Sequence, residues 1–109
     1  MKRKIFVFAA IAIASAGVVA AADASATWTQ NCASCHGKDG SGNTMMGKKL
    51  SVKDYHDAKV QAAFSDPEAE RAIKEGVKTN GKETMKPFGS KLSEGDIKAL
   101  VAYIRSFKK

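Results

Sequence analysis

The two cysteines of the chain, Cys32 and Cys35, stand three positions apart in the run Cys32-Ala33-Ser34-Cys35-His36. A disulfide between them would close a tiny loop and restrict the unfolded chain very little, so it cannot staple a fold. The chain has 109 residues, room for one domain at most. A domain of that size buries little apolar surface and usually adds a disulfide, a metal or a cofactor. Since no useful disulfide is on offer, another group is expected to supply the missing core.

Part of the chain is not expected to fold with the domain. Lys2, Arg3 and Lys4 precede an uncharged stretch from Ile5 to Val19, and Ala20-Ala21-Ala22 fits an A-x-A cleavage site. This pattern reads as a secretory signal peptide over residues 1–22, with a mature domain over 23–109. Ala24 and Ala26 are further candidate cleavage points. The apolar stretch spans fifteen residues, rich in alanine, whereas a membrane span needs about 20 strongly apolar ones. Removal of the leader lowers the formal charge from +7 to +4, leaving 15 basic against 11 acidic side chains. That excess is too small to argue for nucleic acid. No later segment is apolar enough to span a membrane, so a soluble periplasmic protein is expected.

The local patterns are helical with long irregular connections. A short helix is expected over 24–33, with Trp28 as its large apolar residue, and a helical piece over 57–64. Gly37 to Asn43 is rich in turn residues. Asp66-Pro67 reads as a helix start, with Asp66 as the cap, and Gly76 as a stop. Residues 44–55 and 77–91 read as mostly irregular. Ser93 with Asp96 three residues later is a weak capping box. Ile97, Leu100, Val101 and Ile104 then trace the apolar stripe of a final helix, and Arg105, Lys108 and Lys109 suit its carboxyl end. Almost nothing reads as a strand.

The run Cys32-Ala33-Ser34-Cys35-His36 is the C-x-x-C-H signature of covalent c-type haem attachment. Two cysteines separated by two residues can lie on one face of a turn and bond the two vinyl groups on one edge of the macrocycle. The histidine that follows falls beneath the ring and can offer a nitrogen to iron. Other chemistries are less well supported. A thioredoxin-like dithiol is usually set in a βαβ pattern, which is not visible. A zinc site would need ligands that the chain lacks at suitable spacing, since His56 is its only other histidine. A plain disulfide stays open.

With these residues in view, the chain resembles the class I c-type cytochromes of the small bacterial type over nearly all of 23–109. Three parts carry the resemblance: the motif, Met85-Lys86-Pro87-Phe88, and Leu100-Val101-Ala102-Tyr103-Ile104-Arg105. It implies an all-α cytochrome c fold of short helices and long loops wrapped around one covalent haem c. It also implies His36 and Met85 as the axial iron ligands, and packing of Trp28, four positions before the first cysteine, against Leu100 and Tyr103. The pattern departs at Met45-Met46-Gly47, where the family often has a proline whose carbonyl orients the axial histidine. Which carbonyl orients His36 is thus left open.

The remaining methionines and the second histidine are candidates too. Methionine is usually a gap-filling core residue, and Met45 and Met46 are expected to line the haem or cover an edge. Met85 sits in a loop with Pro87 and Gly89, able to hold a thioether rigidly. His56, in a polar stretch, reads as a surface residue. Asp39, Ser41 and Asn43 mimic the start of a calcium loop, but Thr44 and Leu50 stand where glycine and glutamate are needed.

A histidine and a methionine on iron leave no position for a substrate. The expected function is therefore one-electron, outer-sphere transfer by a non-enzymatic carrier. A haem-based sensor and an electron-transfer subunit of a larger oxidoreductase are the alternatives. The expected partners are redox proteins, and a monomer is expected. If Lys38, Lys48, Lys49, Lys78, Lys82, Lys86 and Lys91 ring the haem edge, they would steer acidic docking surfaces. Otherwise they are an ordinary solvated surface.

Overall fold

The computed structural model describes residues 21–109, so most of the leader, residues 1–20, lies outside the described residues. Six helices and one hairpin follow in order: α1 (Ala21–Asn31), α2 (Ala33–His36), α3 (Met45–Lys49), α4 (Ala58–Ala62), α5 (Asp66–Glu75), β1 (Val77–Thr79), β2 (Lys82–Met85) and α6 (Glu94–Ser106).

The best-specified helix is α6. Ser93 Oγ accepts the Asp96 amide at 3.1 Å and Asp96 Oδ2 accepts the Ser93 amide at 3.0 Å, a complete capping box. Ile97, Leu100, Val101 and Ile104 are all buried on one stripe, as the 3.6-residue period requires. The stripe packs on α1 and α5. Trp28 on α1 is 1 % exposed and Leu100 is 0 % exposed. The Trp28 ring lies 5.8 Å from that of Tyr103, so the expected contact of the first and last helices is present.

Helix α5 begins one residue earlier than its sequence suggests. Ser65, not Asp66, is the cap: its Oγ accepts the Glu68 amide at 3.2 Å and donates to Glu68 Oε1 at 3.0 Å. The cap position needs extended backbone and a short side chain. Ser65 supplies both, with ψ 161°, while Asp66 becomes the first helical residue and pairs with Arg105 at 2.8 Å. Gly76 ends the helix as expected.

Two stretches expected to be irregular are ordered. Residues 45–49 form α3, capped by Thr44. Residues 77–85 form an antiparallel hairpin with Lys78 opposite Glu83 and Thr79 opposite Lys82. Its turn is Asn80-Gly81, with φ of 52° and 76°. Both central residues of the favoured two-residue turn need positive φ, and Asn-Gly is its strongest signal. The fold otherwise keeps the all-α character expected of it, and this one hairpin is short and mostly exposed.

Leu100→Ala is expected to destabilise the protein by about 2–5 kcal/mol, the usual cost of a cavity at a fully buried leucine. Ser93→Ala should cost about 1 kcal/mol. Urea unfolding followed by far-ultraviolet circular dichroism reads both.

Candidate functional site

One cavity of about 260 Å³, open to solvent on one side, lies between the loops and the core stripe of α6. Cys32, His36 and Met85 all line it, with Trp28, Leu100 and Ile104 forming part of the apolar wall. Three of the four residues singled out by the sequence thus face one space. Cys35 is half-buried and outside the lining, on the same helical turn as Cys32.

That turn is held from both sides. The His36 amide donates to the Cys32 carbonyl at 3.0 Å, closing one turn of helix. Upstream, the Trp28 indole N–H donates to the Gly37 carbonyl at 2.9 Å while buried, which ties α1 to the end of the motif. Downstream, the Thr44 hydroxyl donates to the Cys35 carbonyl at 2.7 Å and accepts the Gly47 amide at 2.8 Å. Gly47 is buried, and a Cβ there would collide with the carbonyls of Cys35 and Gly42. Helix α3 therefore seats backbone to backbone on the motif, and the position requires glycine for space.

Met85 is delivered by other means. It ends β2, opposite Val77, which directly follows the α5 stop. Two residues beyond Pro87's predecessor the chain is anchored again: Phe88 is 5 % exposed and its amide donates to the Ile73 carbonyl at 2.9 Å. The thioether is thus held between a hairpin and a buried aromatic.

Burial shapes the chemistry of these groups. The Cys32 thiol is pushed from 9.0 up to about 11, first by burial and then by the neighbouring Cys35. Burial lowers the His36 pKa, which keeps the imidazole neutral, the form with a lone pair for a metal. Among the described residues, His36 Nδ1 is buried without a hydrogen-bond partner. Cys32 and Cys35 are not bonded to each other. Paired thiols, a neutral imidazole and a thioether around an apolar cleft are a donor set suited to haem c.

The expectation for Met45 and Met46 changes, while those for His56 and the loop at Asp39 hold. Met45 is 88 % exposed and Met46 42 % exposed, and neither lines the cavity. The backbone of α3 makes the contact with the motif, which turns these two side chains outward. His56 lies away from the cavity, with Nδ1 2.9 Å from Asp54 Oδ1. Asp39 Oδ1 accepts from the Ser41 amide and hydroxyl, so this loop is an ordinary turn.

The cavity also has walls that the sequence did not announce: Tyr55, Phe64, Glu68 and Ala69. Tyr55 stacks on His36, ring centroids 5.4 Å apart and planes 18° apart. Burial, and then Cys32, raise its pKa. It stands in a polar stretch with no periodicity, so only its aromatic character pointed inward.

Comparison with known proteins gives consistent matches. The family model described as cytochrome C oxidase, cbb3-type, subunit III matches residues 19–104. Cytochrome c6 of Bumilleriopsis filiformis is 39 % identical over 79 residues, covering 72 % of this chain and 81 % of the relative. Among solved structures, the KustC0563 c-type cytochrome is 39 % identical with a TM-score of 0.69, covering 79 % of this chain and 98 % of that one. A tyrosine-to-phenylalanine variant of it gives 39 % identity and a TM-score of 0.67 over 79 % and 99 % of the two chains.

Gly47→Ala should cost about 1–3 kcal/mol, as overpacking in a closed site does. Thr44→Val should cost about 1 kcal/mol through the lost cap. Unfolding midpoints of the haem-loaded proteins test both, and a neutral Gly47→Ala would contradict the close seating of α3.

Proposed function

The chain belongs to the class I c-type cytochromes, electron carriers with one covalently bound haem c, and from that premise we propose a periplasmic carrier with His36 and Met85 as axial ligands. The observation that carries this reading is that His36 and Met85 line the same cavity as Cys32. Cys32 and Cys35 would hold the haem as thioethers. When bound, the haem supplies a reversible one-electron change at iron.

The protein residues set the conditions of that change. His36 offers a neutral nitrogen because burial disfavours its protonation. Met85 offers a soft thioether, which favours the reduced state and raises the potential. Trp28, Leu100 and Ile104 keep water from one wall, and an apolar surround disfavours the additional charge of the oxidised state. With His36 and Met85, both held in packed segments, as its two iron ligands, the haem would have no open position for a substrate. The protein is accordingly a carrier and not an enzyme.

Residues 1–22 act as a cleaved leader and 23–109 as the mature monomeric domain. No helix among the described residues is long and apolar enough to cross a membrane, which supports diffusion in the periplasm. The seven lysines considered above are all exposed, and none of them lines the cavity. Such a surface supports steering of acidic redox partners, with association rates that fall as salt rises. A second reading has its own support: the matching family model is described as an oxidase subunit, so the chain could serve as the electron-transfer subunit of a complex. Gel filtration of the native protein separates the two, since a carrier elutes alone.

Absorption spectra after denaturing extraction should show haem that stays with the chain. The oxidised protein should show the weak far-red band of methionine on ferric iron. Met85→Ala should abolish that band and open the reduced protein to carbon monoxide, whereas an unchanged band would remove Met85 from the iron. The secreted protein should begin at Asp23 by amino-terminal sequencing.

A further inference from the structure

Among the described residues, His36 Nδ1 is buried with no hydrogen-bond partner, although an acceptor on that nitrogen normally fixes the orientation of a ligating imidazole. Two aromatic rings hold the His36 ring instead. Tyr55 is stacked on it at 5.4 Å with an 18° interplanar angle, and Trp28 lies 5.4 Å away, tilted by 42°.

Tyr55 lies outside the helices and strands, so its placement has to come from its partners. Its amide donates to the Gly40 carbonyl at 2.9 Å, and its carbonyl accepts Gln61 Nε2 at 2.8 Å. Gln61, 4 % exposed, is the buried polar side chain of the described residues. Its Nε2 also donates to the Ile104 carbonyl at 2.9 Å, and its Oε1 accepts Arg105 at 3.0 Å. A buried amide satisfied at this many atoms has one orientation.

Arg105 sits at the centre of this arrangement. Its guanidinium donates to the Gln61 carbonyl, to the Phe64 carbonyl at 2.8 Å and to Asp66 Oδ1 at 2.8 Å. It also lies 4.2 Å from the centroid of the Phe64 ring. The Phe64 ring in turn meets Tyr55 edge-on at 6.0 Å. One guanidinium on α6 therefore fixes both supports of Tyr55: the amide that grips its backbone and the Phe64 ring that meets it at 67°.

We propose that Arg105, Gln61 and Tyr55 are positioning residues that set the plane of the His36 imidazole by aromatic stacking where a carbonyl acceptor is missing. The inference rests on the reading of His36 as an axial ligand. The plane of an axial imidazole governs its overlap with the iron d orbitals, and hence the pattern of haem-methyl shifts in the oxidised protein. Proton NMR of the oxidised, haem-loaded protein reads that pattern directly.

Tyr55→Phe keeps the ring and should preserve the order and spread of the four methyl resonances. Tyr55→Leu removes the stacking and should reorder them or draw them together. Gln61→Met, close in size but without the amide, should move them the same way to a smaller extent. If Tyr55→Leu does not assemble, Gln61→Met alone decides. A correctly assembled Tyr55→Leu or Gln61→Met protein with the parent pattern overturns the proposal, as would equal disturbance by Tyr55→Phe. A high-spin parent spectrum would instead overturn the axial assignment itself, so the two failures are distinguishable.

Discussion

Trp28 is the contact on which the rest of the molecule depends. Its indole is almost fully buried, and a ring of this type removes on the order of 150–250 Å² from water. An indole N–H so buried needs an acceptor, and the Gly37 carbonyl provides it. The same ring touches His36, Tyr103 and Phe107. One side chain thus fastens the first helix to the last and fastens both to the haem-attachment turn. Apolar burial supplies the energy of this contact, and the single hydrogen bond supplies its orientation.

The polar interior is concentrated on the other side of the cavity. Gln61 and Arg105 tie α4, the residues before α5 and the end of α6 through backbone carbonyls. Burying an amide is costly unless its atoms are bonded, and here they are. Truncating either partner would leave desolvated groups unpaired, which is why such a cluster confers one geometry more than net stability. Helix α5 gains its own anchor at the same place, since Arg105 reaches Asp66 in its first turn.

The surface beside the attachment turn has a different logic. Because Gly47 packs by its backbone against Cys35, Met45 and Met46 are left pointing to solvent next to Lys48 and Lys49. Close backbone packing under the motif and an apolar, basic surface over it are consequences of one glycine. The exposed hairpin plays a comparable part for Met85, whose place follows from a turn of Asn80-Gly81 and from the anchoring of Phe88.

The sequence by itself determined what depends on neighbours along the chain. Cys32, Cys35 and His36 announced their chemistry through a five-residue spacing, and α6 through its capping box and its 3.6-residue stripe. Trp28 and its α6 partners followed from the family pattern. The hairpin was missed: the lysines and threonines that flank Asn80-Gly81 lack the apolar alternation of a strand, so 77–91 read as irregular. Only the tertiary structure decided how His36 is held. Its stacking partner Tyr55, and the Gln61 and Arg105 side chains behind it, lie 19, 25 and 69 positions beyond His36 in the chain. Their meeting depends on where α4 and α6 dock, and no local pattern encodes a contact made by chain segments that only packing brings together.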